Sequence, residues 1–188
     1  MLERRQTVAM LLADRSPDLL VVPGLGSSTY DVAAAGDCPR NFYLWGAMGG
    51  AVCIGLGLAL AQPRKRVLVI TGDGEMLMGL GSLATVGGTA ISNLAIAVLD
   101  NEAFGETGGQ ASHTALGIDL AAVALACKFS TATTVRESAE LPSARDMLLH
   151  APGPVLAVIK TAAGDVARVL PERDGHAIRT RFRKAVVG

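Results

Sequence analysis

Short apolar runs recur along the chain, separated by longer stretches in which apolar residues return every three or four positions. The runs are DLLVVPG (18–24), FYLW (42–45), RVLVITG (66–72), NLAIAVLDN (93–101), STATTV (130–135) and PVLAVIK (154–160). Most are rich in Val, Ile or Leu and bounded by Gly, Pro or Asn, which predicts six strands. None alternates strictly between apolar and polar, as expected of strands covered on both faces. Residues 3–14, 28–35, 49–61, 75–87, 117–127 and 142–150 carry helix-compatible patterns. Pro63 follows the third of these, and Gly87-Gly88 closes the fourth. The alternation predicts the α/β class: an open, mostly parallel six-stranded sheet with right-handed crossovers and helices on both faces. A single domain over 1–188 is expected, with 164–188 as a C-terminal extension.

Composition narrows the picture. Half of the 188 residues are hydrophobic, 18% are charged and only 4% are aromatic, which suits small-residue helices packed closely on a parallel sheet. Seventeen basic residues balance seventeen acidic ones, which argues against capture of nucleic acid or an anionic membrane. The basic tail RTRFRK reads as a solvated, helical terminus. Cys38, Cys53 and Cys127 form no CxxC pair, so neither an iron–sulfur nor a structural zinc site has support, and reduced thiols in a cytoplasmic protein are expected. The run GAMGGAVCIGLGLALAQP holds about seventeen uncharged residues, near the length of a membrane span. Its five glycines favour a buried helix instead.

In such a sheet, ligands gather at the carboxyl ends of the strands. Three Gly-bearing turns sit there: WGAMGG, TGDGE and DNEAFGETGG. Asp73 follows a strand and opens a helix, where backbone N–H groups carry partial positive charge. By itself it could be an N-cap. Asn101 ends the next strand, so the two side chains would present oxygens to one point. With a main-chain carbonyl and a ligand phosphate they make the hard oxygen set that Mg²⁺ accepts. The glycines would let a diphosphate lie on bare backbone.

Gly72-Asp73-Gly74, twenty-six further residues and Asn101 resemble the thiamine-diphosphate fingerprint of the enzymes that use this cofactor. Within that family the pieces NFYLWGAMG, GLGLALAQP, GDGEMLMGLGSLATVG, LDNEAFGETGGQ and LGIDLAAVALACKF are similar to sulfopyruvate and phosphonopyruvate decarboxylases, over about residues 3–160. The resemblance implies a Mg²⁺ site of Asp73, Asn101 and the Ala103 carbonyl. It implies main-chain donors to the diphosphate at Gly74 and Glu75, and cofactor contacts from Gly72, Phe104 and Gly105. Gly46 would bind the aminopyrimidine through its carbonyl and Met48 through its amide, and the Met48 side chain would wedge between the two rings.

The same resemblance implies a second, pyrimidine-binding domain whose glutamate activates the cofactor. No room for one exists here, so an α-type partner subunit is expected to supply it, in a hetero-oligomer. Glu75 and Glu106 do not fit that role: the first reads as a cap or supporting group beside the diphosphate, the second as a solvated loop residue or one near the metal. The substrate would be a small 2-oxo acid. Thr107, Gln110, Ser112 and His113 are candidates for its distal anion, and His113 is also a candidate proton relay. His150 and His176 read as structural or exposed. Rival readings are a carboligase or lyase subunit, the β chain of a 2-oxoacid:ferredoxin oxidoreductase (disfavoured by the absent cysteine clusters), a non-catalytic assembly subunit, and an unrelated Rossmann binder lacking GxGxxG after the first strand.

Overall fold

The computed structural model of the chain describes residues 1–164 and 166–188. Five parallel strands form one sheet in the order β1-β2-β3-β7-β6: β1 (Leu19–Pro23), β2 (Arg66–Gly72), β3 (Leu94–Asp100), β6 (Thr131–Val135) and β7 (Val155–Lys160). β1, β3 and β7 are buried at every residue, which is why their sequences lack a polar phase. Alternate strand residues feed two separate cores. Leu20, Val69, Ile96 and Val158 face one side, with α3 (Ala51–Ala61), α5 (Ser82–Thr89) and α6 (Leu120–Ala126). Val21, Ile70, Ala97 and Ile159 face the other, with α1 (Arg4–Leu12), α2 (Ser27–Ala34) and α7 (Leu141–His150). Each fully buried aliphatic side chain contributes about 1.5–3 kcal/mol, so the doubly covered centre dominates the stability. Gly55 of α3 lets Val69 of β2 close in, since a Cβ there would lie 2.3 Å from Val69 Cγ2.

Two expectations are corrected, and one element is new. FYLW is not a sixth strand: Asn41 makes a lone parallel bridge to Val21, and the chain then leaves the sheet. Side-chain packing draws it away, because the Phe42 ring lies 5.1 Å from that of Phe182, and the Tyr43 hydroxyl donates to Asp37. The helix expected over 75–87 is two helices, α4 (Asp73–Met78) and α5, broken where Gly79 packs so tightly on the Gly49 carbonyl that a Cβ would sit 2.1 Å from it. A two-residue antiparallel pair, β4 (Ala103–Phe104) with β5 (Gln110–Ala111), is too short for any periodicity to announce.

The tail forms α8 (Gly175–Val187), capped by Asp174, which accepts from the His176 and Ala177 N–H groups. Ile178 and Phe182 are buried beneath it, while Arg181 pairs with Asp37. Among the described residues no helix is long and apolar enough to cross a membrane.

Candidate functional site

The carboxyl tips of β2 and β3 are held side by side by their register, in which Gly72 stands opposite Leu99. Asp73 therefore opens α4 next to Asp100, which closes β3, and Asn101, which follows it. Both aspartates are buried, at 2% and 1% exposure. Ser112 Oγ donates to Asp73 Oδ2 at 2.5 Å, and Thr114 Oγ1 donates to Asp100 Oδ1 at 2.8 Å. Thr114 also lies 3.3 Å from Asp73 Oδ2. Every one of these bonds to Asp73 falls on Oδ2, so Oδ1 is the oxygen without a side-chain partner among the described residues. Burial pushes the Asp73 pKa up; the Ser112 bond pulls it back in part, and the charge of Asp100 adds to the rise.

Asn101 Oδ1 accepts from the Ala103 N–H at 3.1 Å, and Asp100 Oδ1 from the Glu102 N–H at 3.0 Å. These two side chains thus shape the turn that carries the Ala103 carbonyl. Lys160, at the end of β7 and opposite Asp100 in the register, reaches Asp100 Oδ2 and Glu102 Oε1, each at 2.7 Å. Burial alone would lower the Lys160 pKa, but the bonds to Asp100 and Glu102 raise it above the usual lysine value, so it stays charged.

An inner cavity of about 70 Å³ opens over these tips, lined among others by Met48, Gly72, Asp73, Gly74, Glu75, Asn101, Ala103, Phe104, Gly105 and Thr107. It shares Arg4, Ser27, Asn101, Ala103, Gly105 and Glu106 with an outer cavity of about 440 Å³. Gly74 packs closely on the Phe104 ring, and a Cβ there would stand 2.7 Å from Phe104 Cδ1. Glu75 is buried beneath the cleft. Its Oε2 accepts from Thr71 Oγ1 at 2.8 Å and packs so closely on Gly24 that a Cβ there would lie 1.7 Å away. Its Oε1 makes no hydrogen bond of good geometry among the described residues, although backbone N–H groups lie near it. Burial raises its pKa, which Thr71 and nearby backbone N–H groups of Gly49, Leu25 and Ala51 offset in part. The Glu106 side chain reaches across the cleft to Gly26.

The structure thus brings together Met48, Gly72, Asp73, Gly74, Glu75, Asn101, Ala103, Phe104, Gly105 and Thr107. It does not bring the other candidates to the cavities. Gly46 is exposed, Gln110 is exposed and bonded to Thr107, and His113 is exposed with its ring edge-on to Phe104 at 6.1 Å. Ser112 is fully buried against Asp73 and faces no open space. Sequence reasoning missed a fourth turn, Gly24-Leu25-Gly26-Ser27-Ser28 after β1. Its position at a strand carboxyl end and its two glycines were the available signal. It also missed Arg4, a helix residue whose approach to the cleft no local pattern encodes.

A parallel sheet with a glycine-lined cleft and an acidic floor at its carboxyl edge defines a class, the open α/β proteins that bind a ligand at their strand tips. The model of the family "Thiamine pyrophosphate enzyme, C-terminal TPP binding domain" matches residues 24–159, and the chain belongs to that family. It is 37% identical over 188 residues to "Sulfopyruvate decarboxylase subunit beta" of Methanothermobacter thermautotrophicus, covering 100% of this chain and 97% of the relative. It is 40% identical over 177 residues to "Phosphonopyruvate decarboxylase" of Streptomyces viridochromogenes, covering 94% of this chain but 44% of the relative. The chain therefore spans less than half the length of that relative. A solved structure, a putative thiamin diphosphate-dependent enzyme from Mycobacterium smegmatis, superposes with a TM-score of 0.72 at 20% identity, over 87% of this chain and 32% of the other. That likeness bears on the fold alone.

Proposed function

We propose that the chain is the β-type subunit of a thiamine-diphosphate- and Mg²⁺-dependent 2-oxo acid decarboxylase, completed by a partner chain with the pyrimidine-binding domain. The single observation that carries this reading is the pair of strand tips: buried Asp73 with Oδ1 free of side-chain partners, beside Asn101 and the turn to Ala103. The residues fit the group. A carboxylate, an amide oxygen and a carbonyl are the hard donors a small divalent cation takes. Gly74 lines the cavity at the start of α4 with no side chain of its own, and the Phe104 ring packs against it. Near full-length similarity to a relative named as a β subunit supports the need for an α-type partner.

In this reading Asp73 and Asn101 hold Mg²⁺ with the Ala103 carbonyl. Gly74 and Glu75 seat the diphosphate through their backbone beside Gly72, and Met48 with Gly46 receives the aminopyrimidine. Phe104 and Gly105 close the turn over it. When bound, the cofactor supplies a carbon nucleophile for the 2-oxo group and a sink for the electrons released with CO₂. The chain's own part is to orient and to exclude water. Met48 and Leu99 give the inner cavity an apolar wall, and Ser112 and Thr114 keep Asp73 from turning. Thr107 lies at the cavity edge, while Gln110 and His113 stand on the exposed side of the same loop, the side a partner would cover. A sulfonate or phosphonate on the 2-oxo acid, as the relatives' names suggest, would be bound there.

The test is to isolate any chain that co-purifies and measure CO₂ release from 2-oxo acids, with and without an aldehyde acceptor. Decarboxylation that requires both chains is expected. Carboligation as the main outcome would replace the decarboxylase reading, and saturable cofactor binding with no turnover in the complex would leave only an assembly role.

A further inference from the structure

Beyond the proposed metal contacts, and resting on that reading, the geometry points to Lys160 as the positioning residue that sets the site's affinity for the divalent ion. Lys160 touches none of the three metal groups, yet it is linked to all of them. Toward Asp73 the path is Asp100: its Oδ2 pairs with Lys160 at 2.7 Å, and its Oδ1 accepts from Thr114, which lies 2.8 Å from Ser112 Oγ. Ser112 in turn donates to Asp73 Oδ2. The chain of contacts consumes one oxygen of Asp73 and fixes the direction of the other.

Toward Asn101 and Ala103 the path is Glu102. This residue sits between them at φ 61°, a left-handed conformation that a side chain disfavours. Its carboxylate is held by Lys160 at 2.7 Å, its N–H by Asp100, and its carbonyl accepts from the Ser112 N–H at 2.9 Å. One ammonium therefore pins both ends of the turn that aims the Asn101 oxygen and the Ala103 carbonyl. Without it, Asp100 and Glu102 repel each other, Glu102 can relax toward ordinary backbone angles, and the three oxygens no longer share a focus.

Mn²⁺ titration of the full-length chain, with any co-purifying partner and thiamine diphosphate present, reads this directly by the paramagnetic resonance of free Mn²⁺. Lys160→Met alone strands a buried carboxylate, so the main variant is Lys160→Met with Asp100→Asn, which removes both charges. This double variant is expected to melt within a few degrees of wild type and bind Mn²⁺ at least tenfold more weakly. Glu102→Gln, which acts on the half-exposed arm and carries the test should the double variant fail to fold, is expected to weaken Mn²⁺ about threefold with unchanged melting. Mn²⁺ affinity within twofold of wild type in the folded double variant, or in Glu102→Gln, overturns the proposal. Asp73→Ala is the reference: if it loses Mn²⁺ and the Lys160 and Glu102 variants do not, only the role of Lys160 falls. If it binds as wild type does, the metal reading falls first and takes this one with it.

Discussion

Two buried ionic clusters flank the cleft, and they are built with opposite excess. On the α1–α2 side, Asp31 is fully buried and accepts from Arg4 Nε at 2.5 Å and Arg5 Nε at 3.1 Å, two cations on one carboxylate and a formal charge of +1. At the strand tips, Asp100 and Glu102 share one ammonium from Lys160, and Asp73 joins them through Thr114, so the three carboxylates and one lysine carry a formal charge of −2. Each carboxylate oxygen of Asp31 has its own guanidinium. Asp73 has no cationic partner among the described residues: neutral hydroxyls and backbone N–H groups bond it, and it lines the cavity. The first cluster carries an excess of cations over carboxylates and the second an excess of carboxylates, the sign of charge that the proposed divalent ion would meet. Arg4 also lines both cavities, so the cleft runs from a positive wall to an acidic floor. That polarity suits a ligand carrying both an anion and a bound metal.

The largest effects are expected at the acidic floor. Asp73→Ala and Asn101→Ala should each abolish Mg²⁺-dependent binding of thiamine diphosphate, a loss of at least a hundredfold by calorimetry, and wild-type affinity in either would remove the metal assignment. Asp31→Ala should instead cost about 3–5 kcal/mol of stability, since it strands two guanidinia, one of them buried. Chemical denaturation reads this. Asp73→Asn, which removes a carboxylate facing another, should leave the melting temperature unchanged or higher while still losing the metal. A marked loss of stability in Asp73→Asn would show that the floor is structural after all. Gly24→Ala should cost about 1–3 kcal/mol by forcing Glu75 from its place beneath the cleft.

The smallest effect concerns the third ion pair, Asp37 with Arg181 of α8. Burial works to raise the Asp37 pKa, but the hydrogen bonds from Arg181 and Tyr43 together carry it below the usual aspartate value. A carboxyl lowered on folding contributes stability above its unfolded pKa and loses it as pH falls through the folded one. Docking of α8 should therefore weaken only in acid, below about pH 4. The partly exposed pair contributes no more than about 1 kcal/mol. Hydrogen exchange of α8 at pH 3 and pH 6, in wild type and Arg181→Met, measures it; an equal pH response in both would exclude the pair as its cause.

The strands of the sheet centre and most helices were legible because burial on both faces leaves unbroken apolar runs, and helices leave a 3.6-residue rhythm. FYLW shows the limit: its composition is that of a strand, but packing of Phe42 on Phe182, 140 residues away, outweighs edge pairing. That Asp73 and Asn101 would lie on one cavity was legible because glycines and an acid at a strand end leave a local trace. The places of Ser112, Thr114 and His113 were not. All three are polar residues of one loop, and only the fold turns Ser112 and Thr114 inward to Asp73 and Asp100 and leaves His113 exposed.

By itself, then, the amino-acid order determines which residues can end a strand, turn sharply and offer oxygens, because those are properties of neighbours in the chain. The tertiary structure alone decides which charges meet. Lys160 reaches Asp100 and Arg4 reaches Asp31 through strand register and helix packing across 60 and 27 positions. Coulombic and hydrogen-bonding forces act over a few ångströms of space, with no regard for separation along the chain.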